Sequence, residues 1–263
     1  MASKNVPFVL PETTPKSSHS TINIAGFHVH LYGVDELSPR QAENTIVLFH
    51  IHGRTRTYSD GEGFAHQLLF EMRNRSHLSW GLVVATFDNR NHGSRAVVAD
   101  GTATDIKTIM KFLACYVDGS FRPSQFIVTG VSLGGHVAWN MLSEEPSIIG
   151  AIIIIGSPNL TDLLKERLDQ TPSFSNLQRL ERWPRSLEML CRDRDQAIAR
   201  ISGKRILILN GALDTLVPSK FTTPWFVNHA SRNEVKLISQ EDSGHWLSFG
   251  MMEEVIDWLV YTL

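Results

Sequence analysis

A doubly wound α/β domain on a mostly parallel sheet, with a small helical cap insertion, is the architecture this chain predicts. Its strand-like runs are short and rich in β-branched residues, and they lack apolar/polar alternation, as expected of strands covered on both faces. Longer stretches with apolar residues at helical spacing separate them, and strands alternating with helices signal a parallel sheet with crossovers. At 263 residues the chain fits one such domain and is long enough to bury a substantial core.

Taken in order, residues 1–18 hold Pro7, Pro11 and Pro15 without apolar periodicity, and are expected to form a flexible N-terminal arm. The domain proper then occupies residues 19–263. Thr21 to Tyr32 alternates around Ala25-Gly26, which predicts a β-hairpin at a sheet edge with Val29 and Leu31 on one face. The buried strands follow as Thr45 to Phe49, Leu82 to Phe87, Phe126 to Val131, Ile148 to Ile155, Arg205 to Leu209 and Val235 to Ile238. Between them, Thr104 to Val117 carries an apolar stripe at Ile106, Ile109, Met110 and Leu113, and Met251 to Leu263 carries another. Residues 157–200 break the alternation with helical patches at Leu160 to Leu168 and Leu187 to Ala199 and no strand-like run. That stretch is expected to be a helical cap over the carboxyl ends of the strands, where open parallel sheets bind ligands.

Composition excludes several function classes. A formal net charge of −2 and a sequence pI near 6.6 provide no broad basic field for a nucleic acid or an anionic membrane surface, so neither partner is expected. The longest apolar run, Ile148 to Ile155, falls far short of the roughly 20 residues of a spanning helix. Cys115 and Cys191 lack metal-ligand or redox spacing, and the amino terminus lacks a secretory pattern, so a cytoplasmic setting is the expectation. His50, His52 and His92 have no accompanying carboxylate set, and no phosphate-binding glycine loop occurs; no metal or other cofactor is expected.

The chemistry concentrates at Gly130-Val131-Ser132-Leu133-Gly134-Gly135, directly after one strand and before a helical segment. This is G-x-S-x-G in the strand, turn and helix context where a serine sits on a sharp, strained turn and flanking glycines avoid backbone collisions. A serine hydroxyl needs a base to accept its proton and an acid to orient that base. Asp214 lies in Gly211-Ala212-Leu213-Asp214-Thr215-Leu216-Val217-Pro218, and His245 in Asp242-Ser243-Gly244-His245-Trp246, each just after a strand. In these segments the chain resembles the α/β-hydrolase family over about residues 20–263, in particular its serine esterases. That family orders its triad serine, acid, histidine. The resemblance implies Ser132 as nucleophile, His245 as base and Asp214 as acid, with Asp242 the rival acid in the histidine's own loop. The turn itself offers the N–H of Leu133 to an oxyanion hole. His52-Gly53-Arg54 resembles the family's H-G loop, which implies the N–H of Arg54 as the second donor. Phe87 to Ser94 resembles the family's D-x-R-x-x-G-x-S segment, with His92 where many members have glycine.

The expected activity is acyl transfer to water: hydrolysis of a carboxylic ester, thioester or lactone of a small-molecule acyl substrate. A lyase, C–C cleavage or cyclisation reaction on the same triad, or a non-catalytic binding role, stays open at this point. Arg56, Trp139, Trp183 and Trp246, with Phe249, are the candidate substrate-binding residues. Arg54, Arg56, Arg90 and Arg95 follow two neighbouring strands, and their charge suits a substrate with an acidic group.

Overall fold

The computed structural model of the protein describes residues 4–75, 78–89, 95–171 and 183–263, with the backbone alone over 95–100. Eight strands form one sheet in the order β1-β2-β4-β3-β5-β6-β7-β8. The hairpin β1 (His19–Ile24) and β2 (Phe27–Tyr32) lies at one edge, antiparallel within itself and to β4 (Gly81–Thr86). Strands β3 (Thr45–Ile51), β5 (Pro123–Val131), β6 (Ile148–Ile154), β7 (Arg205–Gly211) and β8 (Glu234–Gln240) complete it, and every pairing from β4 to β8 is parallel. Each strand expected from a β-branched run is present, within a few residues of its expected ends.

Helices cover both faces, which explains why the central strands do not alternate. On one face α3 (Arg95–Tyr116) and α4 (Leu133–Glu144) bury Ile106, Ile109, Val137 and Met141 against Val47, Phe49, Val128 and Ile153. On the other, α2 (Glu62–Arg75) and α8 (Phe249–Thr262) bury Phe64, Leu68, Val255 and Leu259 against Leu48, Ile127, Ile152 and Leu207. The short helices α1 (Pro39–Ala42) and α7 (Thr223–His229) sit between strands.

The insertion after β6 forms α5 (Leu160–Asp169) and α6 (Arg185–Ala199), joined by a small core of Leu160, Leu163, Trp183, Cys191 and Val217. The cap residues 172–182 lie outside the described residues, as do Arg90, His92 and the side chain of Arg95. Among the described residues no helix is long and apolar enough to cross a membrane.

The arm differs from its expectation: over residues 4–18 it has little regular structure, yet it is docked rather than free. Pro7 bridges to Ser248, and the amide of Phe8 donates to the carbonyl of Leu247 at 2.8 Å. Further along, Thr14 and Ser17 are buried, bonded to Gln67 and His66 of α2. These partners are some 50 to 240 residues away in sequence, so local pattern gives no sign of them.

Candidate active site

The site is assembled where parallel strands end, and β5 supplies its sharpest feature. Ser132 leaves β5 with φ 57° and ψ −109°, a conformation that costs a side-chain-bearing residue strain, before α4 begins at Leu133. The turn is held by the Ser132 amide, which donates to the carbonyl of Ile154 on β6 at 2.9 Å. A Cβ on Gly134 would come within 2.1 Å of the carbonyl oxygen of Ile51, so only glycine lets α4 start this close to β3.

Two neighbouring loops bring the partners. Asp214 follows β7 and His245 follows β8, and the loops are tied together by the Leu213 amide donating to the carbonyl of Ser243 at 2.9 Å. Gly211 permits this contact, since a Cβ there would fall 2.5 Å from that same carbonyl oxygen. His245 Nδ1 donates to Asp214 Oδ2 at 2.8 Å, and Ser132 Oγ lies 2.8 Å from His245 Nε2. Because a carboxylate only accepts, this pairing leaves Nε2 as the acceptor for the serine proton. Residues 132, 214 and 245, distant in the chain, thus form one hydrogen-bonded line. Asp242, the rival acid, is exposed and sits in left-handed backbone with φ 57°, while the imidazole bonds Asp214.

Asp214 is buried, and its other oxygen accepts from the amides of Leu216 at 2.8 Å and Val217 at 2.9 Å. Burial alone pushes the carboxyl up. The bond from His245, the two amides and the nearby imidazole charge outweigh it and hold the group below its ordinary range. A charged acid is therefore fixed behind the imidazole.

The two residues expected to supply oxyanion donors lie on elements next to Ser132. Leu133 is the first residue of α4, so its N–H belongs to the helix's unsatisfied first turn, at the positive end of the dipole. The loop after β3 runs beside it: a Cβ on Gly53 would lie 3.8 Å from Ser132 Cβ, and Arg54 follows. His52 pins that loop, its Nδ1 bonding the carbonyl of Gly53 at 2.8 Å while its Nε2 accepts from the Asn89 amide at 3.0 Å. A carbonyl only accepts and an amide only donates, so this histidine is held in one neutral tautomer. Buried His50, on β3, is driven down to about 3 by burial and then by His52. Of the histidines considered as metal ligands, His50 and His52 are separated in role and His92 lies outside the described residues; among the described residues no cluster suits a metal ion.

A cleft of about 690 Å³ opens on Ser132 and His245. Its apolar wall includes Phe8, Val9, Leu10 and Phe64, and its polar wall includes Arg54, Arg56 and Arg167. Of the residues expected to bind substrate, Arg56 and Trp246 line this cleft, Trp246 being 36% exposed. Trp139 and Trp183 do not, and this corrects the expectation. Trp139 is 0% exposed on the inner face of α4 and packs edge-on against Trp225 at 4.6 Å; Trp183, 6% exposed, fills the cap's own core. Phe249 is also set back, its ring 5.2 Å from that of Phe8, which it supports. The apolar arm residues were missed by sequence reasoning, because the arm's docking is a long-range contact. Arg167 was missed because a lone arginine on a polar helix carries no local signal.

Comparison with known proteins gives the same architecture. The model of the Alpha/beta hydrolase family matches residues 46–258. A search of curated proteins finds no match. Among solved structures, TT1662 from Thermus thermophilus is similar over 93% of this chain and 97% of its own, at 18% identity and a TM-score of 0.63. The Pyrococcus furiosus esterase Pf2001 is similar over 97% and 98% respectively, at 16% identity and TM-score 0.60. Est1E from Butyrivibrio proteoclasticus, solved with ferulic acid bound, is similar over 92% and 97%, at 15% identity and TM-score 0.63.

Proposed function

Because the chain belongs to the alpha/beta hydrolase family, we propose that it is a serine hydrolase that cleaves a carboxylic ester, thioester or lactone of a small molecule through an acyl-enzyme on Ser132. The single observation that carries this reading is the unbroken line from Ser132 Oγ to His245 Nε2 and from His245 Nδ1 to Asp214, each step 2.8 Å.

In the first half-reaction Ser132 Oγ bonds to the carbonyl carbon as its proton passes to His245 Nε2. The carbonyl oxygen takes the electron pair of the broken π bond, and the N–H groups of Leu133 and Arg54 stabilise that charge. Collapse expels the alcohol or thiol, which leaves with the proton from His245. Water then repeats the sequence on the acyl-enzyme: His245 takes its proton, the hydroxide oxygen bonds to the carbonyl carbon, and the proton returns to Ser132 Oγ as the acid departs. Asp214 keeps Nδ1 protonated throughout and stabilises the imidazolium between transfers. Trp246 and Arg56 contact substrate from the rim of the cleft.

A panel of acyl esters of graded chain length, with one lactone and one thioester, tests the proposal. At least one class turns over, and Ser132→Ala lowers its kcat by about 10⁴–10⁶-fold with the fold intact by circular dichroism. Turnover that survives in Ser132→Ala would sink the assignment.

A further inference from the structure

The charges around the cleft do not balance. Among the described residues that line it, Arg54 and Arg56 come from the loop after β3 and Arg167 from the cap helix α5, against the one carboxylate of Asp60. Arg56 meets Asp60 at 3.2 Å, so Arg54 and Arg167 have no carboxylate partner among the described residues.

Arg167 is the more constrained of the two. One terminal nitrogen donates to the carbonyl of Leu216 in the acid loop, while its Nε is buried with no hydrogen-bond partner among the described residues. A guanidinium does not lose its charge, and a buried donor without an acceptor is costly. Arg167 thus lines the cleft with one nitrogen tied to the acid loop and with a charge that no carboxylate among the described residues neutralises, a charge that an entering anion would pair. The same cleft is also lined by Phe8, Val9 and Phe64. An apolar chain ending in an anion matches this mixed lining.

Resting on the acyl-transfer reading above, we propose that the cleft selects acyl substrates carrying a second, unreacting carboxylate, bound by Arg167 together with Arg54. The planar fork of a guanidinium suits a carboxylate, and two guanidinium groups on one cleft suit it doubly. Specificity then appears mainly in KM, because the carboxylate is bound alike before and during the chemical step.

Phenyl hydrogen adipate and phenyl methyl adipate differ only in whether the distal group is charged, and phenol release reads the same bond in both. In the wild-type enzyme the charged ester is expected to have a kcat/KM about tenfold or more above that of the neutral one, a ratio that falls as salt screens the pairing. Arg167→Gln brings the ratio towards unity, whereas Arg167→Lys keeps part of it. Were the bond to Leu216 merely structural, losing Arg167 would slow both esters alike and leave the ratio unmoved. A wild-type ratio near unity, which needs no variant to measure, or a ratio untouched by Arg167→Gln, overturns the proposal. Equal hydrolysis of both esters removes this inference alone. Hydrolysis of neither, with no labelling of Ser132 by a fluorophosphonate, removes the acyl-transfer reading and this inference together.

Discussion

Asp214 shows at the scale of one residue what the site requires of a carboxylate. Its Oδ1 is occupied by the amides of Leu216 and Val217, so Oδ2 alone faces His245. Asp214→Asn keeps the shape but presents an amide N–H to Nδ1, which moves the ring proton to Nε2 and leaves nothing to accept the serine proton. The expected loss in kcat is about 10³–10⁴-fold with little change in KM, measured by steady-state kinetics. A linked effect concerns stability. The Asp214 carboxyl is held below its unfolded value, so its contribution is present above that value and is lost as pH falls through the folded one. His50 acts on the same limb: its imidazole is held at about 3 against an ordinary 6.5, so the unfolded chain takes up that proton first. Melting temperature should therefore fall from about pH 6.5 towards pH 3 in the wild type, and less steeply in Asp214→Asn. Parallel acid limbs in the two proteins would contradict the role given to this carboxylate.

At the scale of elements, the docked arm is the part with most leverage on the histidine loop. The amide of Gly250 donates to the carbonyl of Lys4 at 2.8 Å, Trp246 Nε1 donates to that of Asn5 at 3.0 Å, and Gln240 Nε2 donates to Asn5 Oδ1 at 2.8 Å. These bonds bracket His245 from both sides, and Phe8 packs beside them on Phe249. Phe8→Ala opens the apolar wall and loosens the bracket. We expect about 1–2 kcal/mol of lost stability, below the range for a fully buried phenylalanine because Phe8 is half-buried, and a raised KM for esters with apolar acyl chains. Urea unfolding and kinetics on graded esters check both, and an unchanged KM series would show that the arm does not reach the substrate. The arm also marks where reading the chain runs out. The strands were legible because burial on both faces leaves a β-branched run without alternation, as in Ile148–Ile154. The elbow was legible because its glycines answer a local steric demand. Proline-rich residues 4–18 follow no period, and what fixes them lies up to 249 positions away.

For the whole molecule, the order of strands decides which residues meet. With β5 central and β7 and β8 two and three positions along, the ends of these strands hold Ser132, Asp214 and His245 at one rim, and the loop after β3 approaches from the other side. The meeting of Ser132, Asp214 and His245 was legible because chain order and placement after strands are sequence properties, and the sheet converts them into proximity. The pocket walls were only half legible. Trp246 and Trp139 look alike as aromatic residues near motif positions, but one is in a loop over the cleft and the other on the inward stripe of α4. A helix face is set by what it packs on, and that is decided by the fold as a whole.

The central claim is that this assembly makes one hydroxyl reactive, and covalent capture by a fluorophosphonate reads it most directly. Intact mass after brief exposure should show a single adduct, located by peptide mapping at Ser132. Labelling should be strongly slowed in His245→Gln, where the base is gone but the serine remains. An adduct on another residue, or labelling of Ser132 at the same rate without the imidazole, would contradict it.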